Sequence, residues 1–168
     1  MSQDQACFAT PRVVAVCFSN GGVPKRPLEA GTVTKAGIEG DIRAHAKHNR
    51  PDRAISILDI EIMRDLVAEG FPLEPGTTGE NLTVVGLHVQ RLEPGSLLTI
   101  GNVVLQLEQP RKPCFVLDEI DPLLKDAIVG RCGYMASVVH EGTISPGMPI
   151  HANFLADRQM SLASGAGK

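Results

Sequence analysis

The chain has 168 residues and a formal net charge of −3. That length suits one domain with a substantial core, and the acidic balance gives no footing for nucleic acid, whose binders carry a basic excess. No apolar run approaches the ~18 residues of a membrane span, and seventeen glycines, twelve prolines and few aromatics favour short strands and tight turns over a helical bundle.

Residues 1–12 read as a flexible end. Met1 to Thr10 has neither a basic start nor an apolar signal core, so the expectation is a cytoplasmic protein with reduced thiols. Val13 to Phe18 reads as a buried strand, ended by Ser19-Asn20-Gly21-Gly22. A polar, glycine-punctuated region then runs to Arg53. Ala54 to Leu58 is a short apolar run suited to another strand. Asp59 is placed to N-cap a helix to about Glu69, with Ile60, Met63 and Val67 on its apolar face and Gly70 and Pro72 as stop signals.

Beyond a glycine-rich turn, Leu82 to Val85 reads as a strand. Ser96 to Ile100 and Val103 to Glu108 flank Gly101-Asn102, a two-residue hairpin connection. Asp121 to Val129 is expected to form a short helix, Tyr134 to His140 a strand, and Glu141-Gly142 a turn toward Thr143 and Ile144. One domain over residues 13–155 is expected, followed by a mobile tail over 156–168. Six or seven short strands with one or two peripheral helices imply a mainly β fold, a closed or nearly closed β-barrel. The alternative is an open antiparallel sheet with helices on one face.

Four cysteines stand at positions 7, 17, 114 and 132 without a CxxC pair, which argues against structural zinc. Cys17 lies in an apolar run and reads as inert core; Cys7 falls in the loose end, and Cys132 reads as structural. Cys114 differs. It follows Pro110-Arg111-Lys112-Pro113, where two cations would favour the thiolate that a nucleophile or soft-metal ligand needs. The two prolines fix φ and withhold two donors, so the segment should leave a strand and enter a rigid loop.

Gly76-Thr77-Thr78-Gly79-Glu80-Asn81 can gather backbone N–H groups and hydroxyls into a nest for a phosphate or other anion, or can be a plain glycine-rich turn before a strand. Arg111, Lys112 and Arg53 could serve the same anion. Asp41, His45 and His48 are spaced like metal ligands on a helix, but no apolar periodicity supports a helix there and HExxH is absent, so a polar loop is expected. Serine-elbow, Walker and dinucleotide motifs are absent.

Together, Gly37-Ile38-Glu39-Gly40-Asp41, Arg53-Ala54-Ile55-Ser56, Pro75 to Thr83, Leu92-Glu93-Pro94-Gly95 with Ile100-Gly101, Pro110 to Cys114 and Gly130 to Tyr134 resemble the MOSC family in content and order. The family is named for the C-terminal domain of the molybdenum cofactor sulfurase, and the resemblance spans about Val13 to Ile150. It implies a barrel-like β fold and a molybdenum–pterin cofactor whose metal accepts the Cys114 thiolate. Arg53, Thr78, Gly79, Glu80, Asn81, Arg111 and Lys112 would then bind the pterin and its terminal phosphate. Two positions depart from the family pattern. Ile42 stands where larger relatives have arginine, with Arg43 next, and His48-Asn49-Arg50-Pro51 replaces a His-Gly-Gly element.

The activity this implies is reduction of small N-hydroxylated compounds, with an external flavin or iron–sulfur partner as electron donor. The same thiol supports two alternatives: a sulfur carrier using a persulfide on Cys114, and a non-enzymatic carrier of the cofactor.

Overall fold

A continuous run of small apolar residues, three of them valines, sets the first strand. In β1 (Arg12–Phe18), Val13 and the run Ala15 to Cys17 are buried, and the strand lies between two neighbours in its sheet. The computed structural model describes residues 9–43 and 49–153; the predicted tail, Cys7, His45 and His48 lie outside them.

The remaining strands are β2 (Arg26–Leu28), β3 (Gly31–Thr34), β4 (Gly37–Ile38), β5 (Ile55–Asp59), β6 (Leu82–Val85), β7 (Leu97–Ile100), β8 (Val103–Pro110), β9 (Tyr134–His140), β10 (Gly142–Ile144) and β11 (His151–Asn153). Eight of them form one curled sheet in the order β11-β7-β8-β9-β5-β6-β1-β2, and β10-β3-β4 form a second, three-stranded sheet. The fold is therefore mainly β, but not the expected closed barrel of six or seven strands; the large sheet is a half-barrel. The segment just before β11 meets the start of β1 at one bridge, Arg12 opposite Pro149, with backbone bonds from Gly147 and Ile150 to Val13 and Pro11 and from Val13 to Met148, in place of a strand ladder. Four of the strands, β2, β4, β10 and β11, have only two or three residues, too few to carry an alternating signal.

Curl is built in locally. β1 and β6 shift register between Val13 and Ala15, and β8 and β9 shift between Leu107 and Gln109, as bulges bend strands and raise their twist. The second shift lies just before Pro110. β5 and β6 are parallel, and the connection this requires contains α1 (Ile60–Ala68).

α1 buries Ile60, Met63 and Leu66, while Val67, expected on that face, is exposed. Leu66 is drawn in by a second apolar cluster with Leu117, Leu124, Ile128 and Cys132, separate from the main core between the sheets. Asp59 holds the N-cap position but makes no side-chain cap bond. Its carboxylate accepts the backbone N–H groups of His88 and Val89, both at 2.7 Å, and burial pushes its pKa up against those two bonds. The second expected helix shrinks to α2 (Leu124–Ala127).

Candidate functional site

Gly76 to Asn81 is organised around a buried carboxylate. Glu80 accepts the Gly76 N–H at 2.7 Å and the Thr83 hydroxyl at 3.0 Å on one oxygen, and the Thr78 hydroxyl at 2.6 Å on the other. Gly76 and Gly79 both take left-handed φ, +90° and +87°. A Cβ at Gly76 would stand 2.3 Å from the Lys25 carbonyl oxygen, whose own N–H donates to the Gly76 carbonyl at 2.8 Å. Only glycine allows these two backbones to meet.

Asn81 ties the turn to the sheet. Its side-chain oxygen accepts the Ser56 N–H at 3.1 Å, and its amide donates to the Cys17 carbonyl at 3.2 Å and to Asp41 at 2.9 Å. Beneath the turn, burial, reinforced by Glu80, pushes the Cys17 thiol up to about 12.

The Pro110 to Val116 segment leaves β8 where its pairing with β9 ends, at Pro110 opposite Tyr134. The Arg111 N–H donates to the Gly133 carbonyl at 2.9 Å, and its guanidinium reaches the Thr78 carbonyl at 2.5 Å. Arg111 thus couples this wall to the glycine-rich turn. Cys114 opens a 3-10 turn over Phe115–Glu119 anchored by buried Leu117. Its thiol is half-buried, whereas Cys17 and Cys132 are buried. Burial raises the Cys132 pKa, with Arg111 opposing.

These walls enclose a cavity of about 500 Å3 that Cys114 lines together with Gly79, Asn81, Arg111 and Lys112. Ile42, Arg43, Arg53, Ser56 and Lys25 complete it with Phe115 and Met135, among others. Its charged lining, among the described residues, is Lys25, Arg43, Arg53, Arg111 and Lys112, with no aspartate or glutamate. A chain of net negative charge therefore focuses positive potential in one hollow. Ile42 and Phe115 stand 56% and 54% exposed and give the lining an apolar part.

Of the residues singled out in the sequence, Cys114, Arg53, Gly79, Asn81, Arg111 and Lys112 come together on the cavity. Thr78 and Glu80 sit behind it, fully buried, with their side-chain oxygens engaged in the turn. Asp41 lies beneath the cavity, accepting the Ser19 N–H at 2.9 Å and the Lys25 ammonium at 2.5 Å. Arg43 lines the cavity one position after Ile42 and donates to the Ala54 carbonyl at 2.6 Å.

Lys25, Arg43 and Ser56 went unrecognised as lining residues. A signal for Lys25 existed: Pro24-Lys25-Arg26-Pro27 repeats, with the cations exchanged, the Pro110-Arg111-Lys112-Pro113 pattern. Among the described residues, no group of three or more His, Cys, Asp or Glu could hold a metal ion.

A family model described as the MOSC domain matches residues 44–151. YflK, an uncharacterized protein of Bacillus subtilis, is 31% identical over 135 residues, 75% of this chain and 60% of that protein. YiiM of Escherichia coli is 30% identical over 129 residues, 70% of this chain and 57% of that protein. The chain thus spans about three fifths of the length of these curated relatives. A protein of Gibberella moniliformis named as a reductase is 31% identical over 121 residues, 66% of this chain and 21% of that one. The crystal structure of YiiM from Geobacillus stearothermophilus superposes with a TM-score of 0.71 at 27% identity, covering 85% of this chain and 75% of that one.

Proposed function

The chain belongs to the MOSC domain family, and on that premise we propose that it binds a molybdenum–pterin cofactor in the cationic cavity and reduces N-hydroxylated compounds. The observation that carries this reading is a half-buried thiol, Cys114, in a hollow lined by five cations and, among the described residues, no carboxylate. The volume of about 500 Å3 falls in the range of small-molecule sites. Among the described residues no cluster could hold a bare ion, and a metal carried by an organic cofactor is in keeping with that. A thiolate is a fitting soft ligand for it.

When bound, the cofactor supplies two-electron redox chemistry at its metal. Cys114 would hold that metal. Lys112 and Arg53 would receive the anionic part of the cofactor, with Arg111 fixed beside them by Thr78. The Gly79 and Asn81 wall would fix its orientation. Ile42, Phe115 and Met135 would keep water from the reacting group and pack against the organic part of the substrate. Electrons would come from an external flavin or iron–sulfur donor, and the name of the Gibberella relative, a reductase, is in keeping with this.

The test is turnover of a hydroxylamine or N-hydroxypurine by protein from a cofactor-competent host, with a reduced dye as electron donor. Cys114→Ser should lower the rate at least ~100-fold, the upper range for disturbing even the outer shell of a metal site. Full activity in that variant would overturn the assignment of the thiol. A persulfide on Cys114 in protein lacking molybdenum would favour the sulfur-carrier alternative. Cofactor without turnover would favour the carrier.

A further inference from the structure

We propose that Lys25 is the proton donor of the cavity, delivering its ammonium proton to the oxygen that leaves the substrate; this role rests on the reductase reading above. Lys25 lines the cavity, yet its side chain is only 9% exposed, and Asp41, which it meets at 2.5 Å, is 2% exposed. The carboxylate is itself fixed, by the Ser19 N–H and by the Asn81 amide, each at 2.9 Å. On the backbone side, Gly76 holds Lys25 through the close approach that only glycine permits there. Asp41 and Asn81 are therefore positioning residues that fix the ammonium of a lysine lining the hollow.

The other lining cations suit the task less well. Arginine keeps its proton in any protein environment and cannot deliver it. Lys112 is exposed on a flexible stem and is better suited to neutralising an anion than to placing a proton. The groups acting on Lys25 are Asp41, Arg43 and Arg111, and Cys17 and Glu80 lie behind it beneath the turn. Burial lowers the Lys25 pKa most, Arg43 and Arg111 add to this, and Asp41 opposes them. A lysine so placed gives up its proton more readily than an exposed one.

The reaction balances with this role. The substrate R–NH–OH takes two electrons from the external flavin or iron–sulfur donor and two protons, and yields R–NH2 and water. The N–O bond breaks, nitrogen gains one hydrogen, and the oxygen departs as water. Lys25 gives one proton to that oxygen, solvent gives the other, and the amine is recharged from solvent.

The experiment compares wild type with Lys25→Arg, which keeps the charge and a donor for Asp41 but has no proton to give. Molybdenum and pterin content, the pH–rate profile and the titration of isotopically labelled Lys25 by NMR in cofactor-free protein are read together. Lys25→Arg should retain the cofactor at the wild-type ratio, lose ~100-fold or more in kcat, and lose the alkaline limb of the profile. The labelled amine should titrate below 10.5, the ordinary lysine value. A variant as fast as wild type with an unchanged pH profile, or an amine titrating at or above 10.5, would overturn the role of Lys25 alone. Wild-type protein with neither cofactor nor turnover would overturn the reductase reading, and this role with it.

Discussion

The two walls of the cavity look alike in composition and differ in physics. Gly76 to Asn81 and Pro110 to Cys114 are both punctuated by residues that fix the backbone, and both carry groups able to bind an anion. In the first, the polar side chains are engaged by the protein itself: Glu80 takes three donors, and Asn81 bridges Ser56, Cys17 and Asp41. In the second, Lys112 is exposed and Cys114 is half-buried on the cavity. One wall spends its polarity on keeping a shape, and the other presents it to a ligand. Arg111 joins them, bonded to Thr78 on one side and to Gly133 on the other.

That division is most open to attack at Glu80. Glu80→Ala should cost about 3–5 kcal/mol, because three buried donors lose their acceptor, and should lower Tm by roughly 10 °C. Cys114→Ser should leave Tm within a degree or two of wild type while abolishing activity. Calorimetry that finds the two variants equally stable would erase the distinction.

Gly76→Ala comes next. Its Cβ would meet the Lys25 carbonyl oxygen at 2.3 Å, at a φ of +90°. A loss of about 3 kcal/mol is expected, and denaturant unfolding would measure it.

The thiols sharpen the same contrast, since Cys17 belongs under the first wall and Cys114 to the second. At pH 8, iodoacetamide should alkylate Cys114 in the native protein, while Cys17 and Cys132 stay protected until unfolding, as peptide mapping would reveal. Cys17 is raised from 9.0 to about 12 in the folded state. Its contribution to stability is thus complete below pH 9 and declines as pH climbs from 9 toward 12. Replacing it with alanine should flatten that part of the stability profile.

Lys112→Ala should have the smallest effect. It should leave Tm unchanged and weaken an anionic ligand by up to ~1 kcal/mol, about fivefold, in a salt-sensitive manner. Isothermal titration at two ionic strengths would detect it.

The sequence made several strands and both walls legible. Val13 to Phe18, Leu82 to Val85 and Tyr134 to His140 carry enough β-branched and apolar residues to declare themselves. The proline-flanked cations before Cys114 mark the end of β8. Less accessible were features decided by distant partners. Leu66 is buried through Leu117 and Leu124, far along the chain, so helical periodicity alone favoured Val67. Asp59 looks like a cap until the backbone of His88 and Val89 claims its carboxylate. The two- and three-residue strands β2, β4, β10 and β11 gain their order from neighbours rather than from an alternating pattern of their own. Lys25 carries only the repeated proline-flanked pattern as a local trace; the rest of its value lies in the backbone contact with Gly76 and the ion pair with Asp41, both made with residues distant in the chain.

The central claim, that the cation-lined hollow with its half-buried thiol holds a molybdenum–pterin, is tested most directly by metal and pterin analysis of protein purified from a cofactor-competent host. Near-equimolar molybdenum and pterin in wild type, with molybdenum lost in Cys114→Ser, is the predicted result. Wild-type protein devoid of both, or a serine variant retaining its full metal content, would contradict the account.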